Sequence, residues 1–452
     1  MRIRLLVSCG IAVLVAALSS GAGAEPVNGP AARVIHAGEL MAAPASGKTV
    51  RSATVLVVGD RVSKVVAGYQ SAEALGVPGA EVVDLRSAFV LPGLIDAHVH
   101  LTSTPSATFQ LDRVVYSDAH RAVWGAANAR QTLLAGFTTV RDTAGYRGDS
   151  FDSVFALRDG IAAGKIPGPR MLVAGQGVGS LASQGDFLGY RQEVMDLFES
   201  RSMCSGPHDC RDAVRYLVKR GADFIKLVPT GWATGASGEG DQLHMFQDEL
   251  DAVVQTAHKF GRKVTAHATG LEGIKAALRA GVDSIEHGRV LDDEAIALFL
   301  DRDVYLVPTL MVTKSFTRHR DGRVPGSARN VTGDQAPPLS QVAEQWFASS
   351  RAAYEAGVKF AFGTDSAISP HGNNAEEFEL LVDKMGMTPA EAIATATENG
   401  ADHVGLAGVI GRIEPGMMAD IIAVAESPLE DVSVLENVIF VMKSGVIYKQ
   451  QP

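Results

Sequence analysis

The run LPGLIDAHVH, Leu91 to His100, sets an aspartate and two histidines at alternate positions of an otherwise apolar stretch. Side chains alternate faces along a strand, so Asp96, His98 and His100 share one side while Ile95, Ala97 and Val99 share the other. A single histidine at a strand end is an ordinary surface group or a partner for a nearby carbonyl. Two of them at period two, beside a carboxylate, suit a divalent metal ion, which binds imidazole nitrogen and carboxylate oxygen.

Other short apolar runs finish on groups of the same chemistry: Lys226 in DFIKLV, His267 in KVTAHAT, His287 in SIEHG and Asp365 in FGTD. Taken singly, each has a plain structural use as a turn cap, a helix cap or a solvated edge residue. Lys226 is the most informative, because Phe224, Ile225, Leu227 and Val228 surround it with apolar side chains, and an unpaired ammonium is costly in such a strand. Burial lowers an amine pKa, and the neutral amine adds carbon dioxide to form a carbamate, a two-oxygen anion that can bridge two ions. The expected site is therefore binuclear. His98 and His100 hold one ion, His267 and His287 the other, N6-carboxylated Lys226 joins them, and Asp365 stands beside the first. Four imidazoles and two anions suit zinc best, with cobalt, manganese or iron as substitutes.

Such a set works only if distant strands end at one place. From Gly93 to Gly405 the chain alternates short apolar strands (LIDAHVH, FTTVRD, RMLVAG, DFIKLV, KVTAHA, SIEHG, VYLVPT, KFAFGTD) with helix-like segments such as HRAVWGAANARQTLLAG, RDAVRYLVKRG, LDAVVQTAHKFG and LEGIKAALRAG. Each of those segments closes on glycine, as a helix C-cap does. The pattern predicts a (β/α)8 TIM barrel over 93–405, whose C-terminal strand ends carry the chemistry. Two connections are long, Gly175 to Ser205 and Leu310 to Ser340; they either shape a substrate pocket or are disordered insertions. Residues 25–92 and 406–452 read instead as strands and tight turns, with Gly59-Asp60 as one hairpin turn and another near Gly445. Neither end has enough strands for its own core. Both are expected to pair into one small composite β-sandwich domain, with the barrel inserted between them.

The whole chain of 452 residues is globular in composition, with 46% hydrophobic residues, and carries a net charge of −10 at pH 7. That charge disfavours a nucleic-acid partner, which needs a basic face. Arg2 and Arg4 precede the apolar run Leu5 to Leu18 and the small residues Ala22-Gly23-Ala24, so residues 1–24 read as a signal peptide. The mature protein is expected to be exported, periplasmic or secreted, with no membrane segment. Cys204 and Cys210 in CSGPHDC then pair as a short disulfide loop in an oxidising compartment, or else form a metal knuckle with His208.

LPGLIDAHVH, the lysine of the fourth barrel strand, the single histidines of the fifth and sixth, and GTD on the eighth resemble the metal-dependent amidohydrolase superfamily across essentially the whole mature chain. The closing stretch TATENGADHVGLAGVIGRIEPGMMADIIAV resembles that superfamily's exit from barrel to β domain. Within it, GFTTVRD, ADFIKLVPTG and SPHGNNAEEFELLV are similar to the prolidase-like, imidazolonepropionase-related dipeptidase branch, which includes ochratoxin-hydrolysing amidohydrolases. The resemblance implies amide hydrolysis on a dipeptide or N-acyl amino acid, with Asp365 moving the proton, and a homo-oligomer, often an octamer. Tyr146 and Arg147 in AGYRGDSF and His371 in SPHG are loop candidates for holding a substrate carboxylate. Trp232 in PTGWATG, where many relatives run two glycines together, is expected to narrow the pocket. Two other readings stand beside this one. A cyclic-amide hydrolase or deaminase of the same superfamily is disfavoured by Lys226, and an inactive binding protein by the complete ligand set.

Overall fold

A computed structural model describes residues 31–104, 106, 108–144, 152–183, 185–187, 189–231, 241–318 and 339–451. Residues 1–24, and with them the expected leader, lie outside the described residues, as do Tyr146, Arg147 and Trp232. Among the described residues no helix is long and apolar enough to cross a membrane.

The strands in chain order are β1 (Ala32–Leu40), β2 (Val50–Val58), β3 (Arg61–Ala67), β4 (Glu81–Pro92), β5 (Leu94–Val99), β6 (Phe137–Asp142), β7 (Arg170–Val173), β8 (Gly177–Ser180) and β9 (Met203–Cys204). They continue as β10 (Ile225–Val228), β11 (Val264–Ala268), β12 (Ser284–His287), β13 (Tyr305–Val307), β14 (Lys359–Phe360), β15 (Ile421–Val424), β16 (Phe440–Lys443) and β17 (Val446–Gln450).

Both chain ends do meet in one sheet, of order β17-β16-β15-β4-β1-β2-β3. The sandwich expected for it is not what forms among the described residues: a single seven-stranded sheet curls until its edge strand β3 returns to the residues before β15. Val62 N donates to Met417 O, Gly416 N to Val62 O and Ala419 N to Asp60 O. Curling lets one continuous face enclose its own core of Ile35, Val55, Val62, Val83, Ile421 and Phe440, so no second layer is required. The two expected hairpin turns lie against each other. Ser444 and Gly445 both take positive φ (49° and 75°), as a two-residue hairpin needs, and a Cβ on Gly445 would fall 2.0 Å from the Gly59 carbonyl oxygen. Glycine is required there by contact as well as by φ.

The middle of the chain alternates parallel strands with helices, an α/β architecture. One parallel sheet runs β14-β13-β12-β11-β10-β8-β9 and a second runs β5-β6-β7. Backbone bonds join them at both ends: Asp223 N to Val173 O on one side; Ala97 N to Phe362 O, Asp365 N to His98 O and His100 N to Ser366 O on the other. The connection 175–205 is more structured than a pocket loop, since β8 and β9 lie inside it and β8, not β7, pairs with the strand of Lys226. Cys204 and Cys210 form a disulfide, which takes both thiols away from any metal knuckle with the exposed His208. The glycine C-caps hold where the helices Pro207–Arg220 and Leu271–Ala280 end, on Gly221 and Gly281 in left-handed conformation.

Candidate metal centre

β5 is buried along its whole length, so alternation sends Asp96 and His98 inward from the same face, with His100 just past its end. The three do not converge on one point. Asp96 is consumed by structure: its carboxylate accepts from Thr364 Oγ1 at 2.6 Å, Asn374 Nδ2 at 2.7 Å and the amides of His98 and Thr364. Burial pushes its pKa up to about 6 against those bonds. The carboxylate that joins the two histidines is Asp365, 3.1 Å from His100 Nε2 and 3.6 Å from His98 Nε2. Donor atoms of His98, His100 and Asp365 all lie within 4.8 Å of one another.

The other expected ligands stand next to this group. The His287 ring centroid is 5.0 Å from that of His98 and 4.5 Å from that of His267. Lys226, on β10, is 4% exposed, and its Nζ has no hydrogen-bond partner among the described residues. Burial lowers its pKa to about 8, so an appreciable neutral fraction exists near neutrality. Burial likewise holds His98 and His287 well below the ordinary imidazole value, leaving them neutral, the form that binds a metal. For Asp365, burial raises the pKa, but His98, His100 and Lys226 outweigh it and keep the carboxylate ionised, at about 2. Neutral imidazoles at His98 and His287, an ionised carboxylate and a buried amine without a hydrogen-bond partner among the described residues form a donor set that fits divalent ions with a carboxylated lysine.

Backbone strain marks the same place. His287, Thr309 and Asp365 hold φ of 74°, 50° and 55°, and Ala144 and Ala367 are also positive, although none is glycine. Such conformations cost on the order of 1–3 kcal/mol each and persist where surrounding contacts fix them. Here Glu377 accepts from the amides of Leu310 and Met311 and thereby pins the turn after β13, and Thr309 Oγ1 lies 2.8 Å from His287 Nδ1. Leu310 and Met311 are buried in the main core.

Several residues that support the ligands were not singled out by their sequence pattern. Glu286, adjacent to His287 and fully buried, sits 2.6 Å from His98 Nδ1. Its other oxygen takes Arg141 Nη2 at 2.7 Å and the hydroxyls of Thr265 and Ser284. The signal was present as a charge within each of two otherwise buried strands, FTTVRD and SIEHG. His100 Nδ1 is bonded to the Ala144 carbonyl. Both histidines therefore have Nδ1 occupied and direct Nε2 toward Asp365. His371 is placed otherwise than expected. Its Nε2 donates to the Ser103 carbonyl at 2.8 Å, its Nδ1 lies 2.8 Å from Ser366 Oγ, and burial lowers its pKa to about 4. A neutral ring with both nitrogens engaged braces the loops after β5 and β14 and offers nothing to a substrate carboxylate.

The amidohydrolase family model matches residues 89–448 of the chain. Ochratoxinase of Aspergillus niger is 30% identical over 442 residues, which cover 92% of this chain and 86% of that protein. Among solved structures, a Xaa-Pro dipeptidase with methionine in its active site superposes with a TM-score of 0.82 at 34% identity, over 93% of this chain and 100% of that one. The A. niger ochratoxinase structure gives 0.80 at 27% identity, over 94% and 96%. A prolidase complexed with N-methylphosphonate-L-proline gives 0.79 at 26%, over 93% and 100%. Because the family model spans every strand end that carries this cluster, and the match to ochratoxinase extends over 92% of the chain, one assignment serves both units: the chain belongs to the amidohydrolase family.

Proposed function

We propose that the protein is a binuclear metal-dependent amidohydrolase that cleaves the amide of dipeptides or N-acyl amino acids with a hydrophobic or aromatic C-terminal residue, ochratoxin A-type amides included. The observation that carries this reading is the gathering of His98, His100, Asp365 and His287 beside a buried lysine whose amine has no hydrogen-bond partner among the described residues. The names of the relatives, an ochratoxinase, a Xaa-Pro dipeptidase and a prolidase, point to the same bond class.

In this reading His98 and His100 would hold one ion with Asp365, His267 and His287 would hold the second, and Lys226, as N6-carboxylysine, would serve both. Zinc is the favoured metal. When bound, the ions supply Lewis acidity at the scissile carbonyl and make water more acidic. The chain's own residues do the rest. Neutral Lys226 adds carbon dioxide and releases a proton, Glu286 fixes the ring of His98, and Asp365 accepts the proton of the attacking water and returns it to the leaving amine. The products are a carboxylic acid and an amine.

The proposal extends to the frame. The two parallel sheets, linked by the backbone bonds at β5 and β10, form one (β/α)8 barrel over 93–405, with 25–92 and 406–452 as its companion domain. Export after loss of residues 1–24, a homo-oligomeric state and the absence of nucleic-acid or membrane partners belong to the same reading. The test is a panel of N-acyl amino acids, Xaa-Phe dipeptides and cyclic amides offered to zinc-loaded mature protein. Hydrolysis of N-acyl-phenylalanine or Xaa-Phe is expected. Failure on every such acid beside rapid opening of a cyclic amide would favour the cyclic-amide alternative.

A further inference from the structure

Arg289 follows His287 and Gly288, both of positive φ, just beyond the end of β12. Its side chain is 7% exposed and paired with Asp241, while its Nε is buried without a hydrogen-bond partner among the described residues. Asp241 also accepts from Thr269 Oγ1 at 2.6 Å, and that hydroxyl lies 3.0 Å from the Gly231 carbonyl. Thr269 stands two positions beyond His267, and Gly231 lies just past the strand of Lys226. The segments leaving β10, β11 and β12 therefore meet at the Arg289–Asp241 pair, at the same strand ends that carry Lys226, His267 and His287.

A guanidinium is permanently charged and presents five N–H donors in a rigid fork that matches a carboxylate. Leaving one of those donors buried and unmet is unfavourable unless a ligand meets it. The ion pair with Asp241 holds the group in place without using all its donors. Of the loop residues expected to anchor a substrate carboxylate, Tyr146 and Arg147 lie outside the described residues and His371 has both ring nitrogens engaged.

We propose that Arg289 binds the free α-carboxylate of the substrate's C-terminal residue, held in position by Asp241 and Thr269. The inference rests on the amide-hydrolase reading above and sharpens it: the enzyme releases a C-terminal amino acid and needs that residue unblocked.

The test compares wild type, Arg289→Gln, Arg289→Lys and Asp241→Asn on N-acetyl-phenylalanine and on its C-terminal amide. Loss of a charge-assisted carboxylate bond is expected to lower kcat/KM for the free acid about 10- to 100-fold in Arg289→Gln, to leave the blocked amide within about threefold, and to be partly reversed in Arg289→Lys. Asp241→Asn, which loosens the positioning of Arg289, should weaken the preference for the free acid less than Arg289→Gln does. Equal losses on acid and amide in Arg289→Gln would make the pair a structural clasp and overturn the proposal. Calorimetric binding of the same two compounds to each metal-loaded variant gives a readout that does not need turnover. If wild type hydrolyses neither compound yet binds the acid better than the amide, and Arg289→Gln does not, the amide-hydrolase reading fails while the carboxylate site stands; no acid preference in wild-type binding overturns the site.

Discussion

His98 Nδ1, on β5, lies 2.6 Å from Glu286 Oε2, on β12, and both side chains are fully buried. Burial pushes the Glu286 carboxyl up, but Arg141 and Lys226 outweigh it and keep it below the ordinary carboxylate value, so the group is an anionic acceptor for the imidazole N–H. Glu286→Gln retains the shape and loses the charge. Metal affinity should fall about 10- to 100-fold, with a lower Tm because Arg141 then faces a neutral partner. Metal titration followed by thermal unfolding checks both effects, and unchanged metal affinity would show that Glu286 only packs.

Lys226 makes the sharpest prediction. Lys226→Ala should cut activity at least about a hundredfold and reduce bound metal from the proposed two ions per chain to one or fewer. Removing a buried amine that has no hydrogen-bond partner among the described residues should leave the metal-free protein at least as stable as wild type. A short carboxylate such as propionate, occupying the space left, should restore part of the activity. Elemental analysis, thermal unfolding and turnover decide the matter together; wild-type turnover in the mutant would rule out a carbamate bridge.

For Asp365→Asn, the proposed proton acceptor is lost while the side chain keeps its shape. The expected result is a fall in kcat of about 10² to 10⁴ with KM changed only a few-fold. Steady-state kinetics with metal content measured on the same preparation separates this from ligand loss. A change confined to KM would assign Asp365 to substrate binding instead.

Away from the centre, Lys443 gives a pH-dependent stability. Its ammonium, buried at the composite sheet, donates to the Gly168 carbonyl; burial, with Arg170 nearby, lowers its pKa to about 8 from an unfolded value of 10.5. The unfolded chain therefore binds more protons than the folded one between about pH 8 and 10.5, and this residue's contribution rises with pH across that window. Below it, the fold carries the cost of a buried charge. Urea unfolding of wild type and Lys443→Met at pH 7, 8.5 and 10 should show the wild-type protein gaining on the variant as pH rises. A constant difference would mean that Lys443 is already solvated in the fold.

Residue type and spacing alone determined a good deal about this protein. Period-two alternation in LIDAHVH identified the buried histidines, glycines after apolar helical runs marked helix ends at Gly221 and Gly281, and a lysine among large apolar residues announced an amine without solvent. These features are local, because side-chain direction and burial follow from the neighbouring few residues. Which carboxylate meets the histidines was not local. Asp96 shares their strand face but is drawn off by Thr364 and Asn374, whereas Asp365 arrives from far along the chain through a left-handed turn. The curl of the composite sheet, the Glu286–Arg141 pair beneath His98 and the engagement of His371 likewise depend on groups brought together from distant segments. A one-dimensional pattern reports which side chains leave the solvent; only packing in three dimensions decides which of them become one another's partners, since a buried polar group bonds to whatever donor or acceptor the fold places within reach.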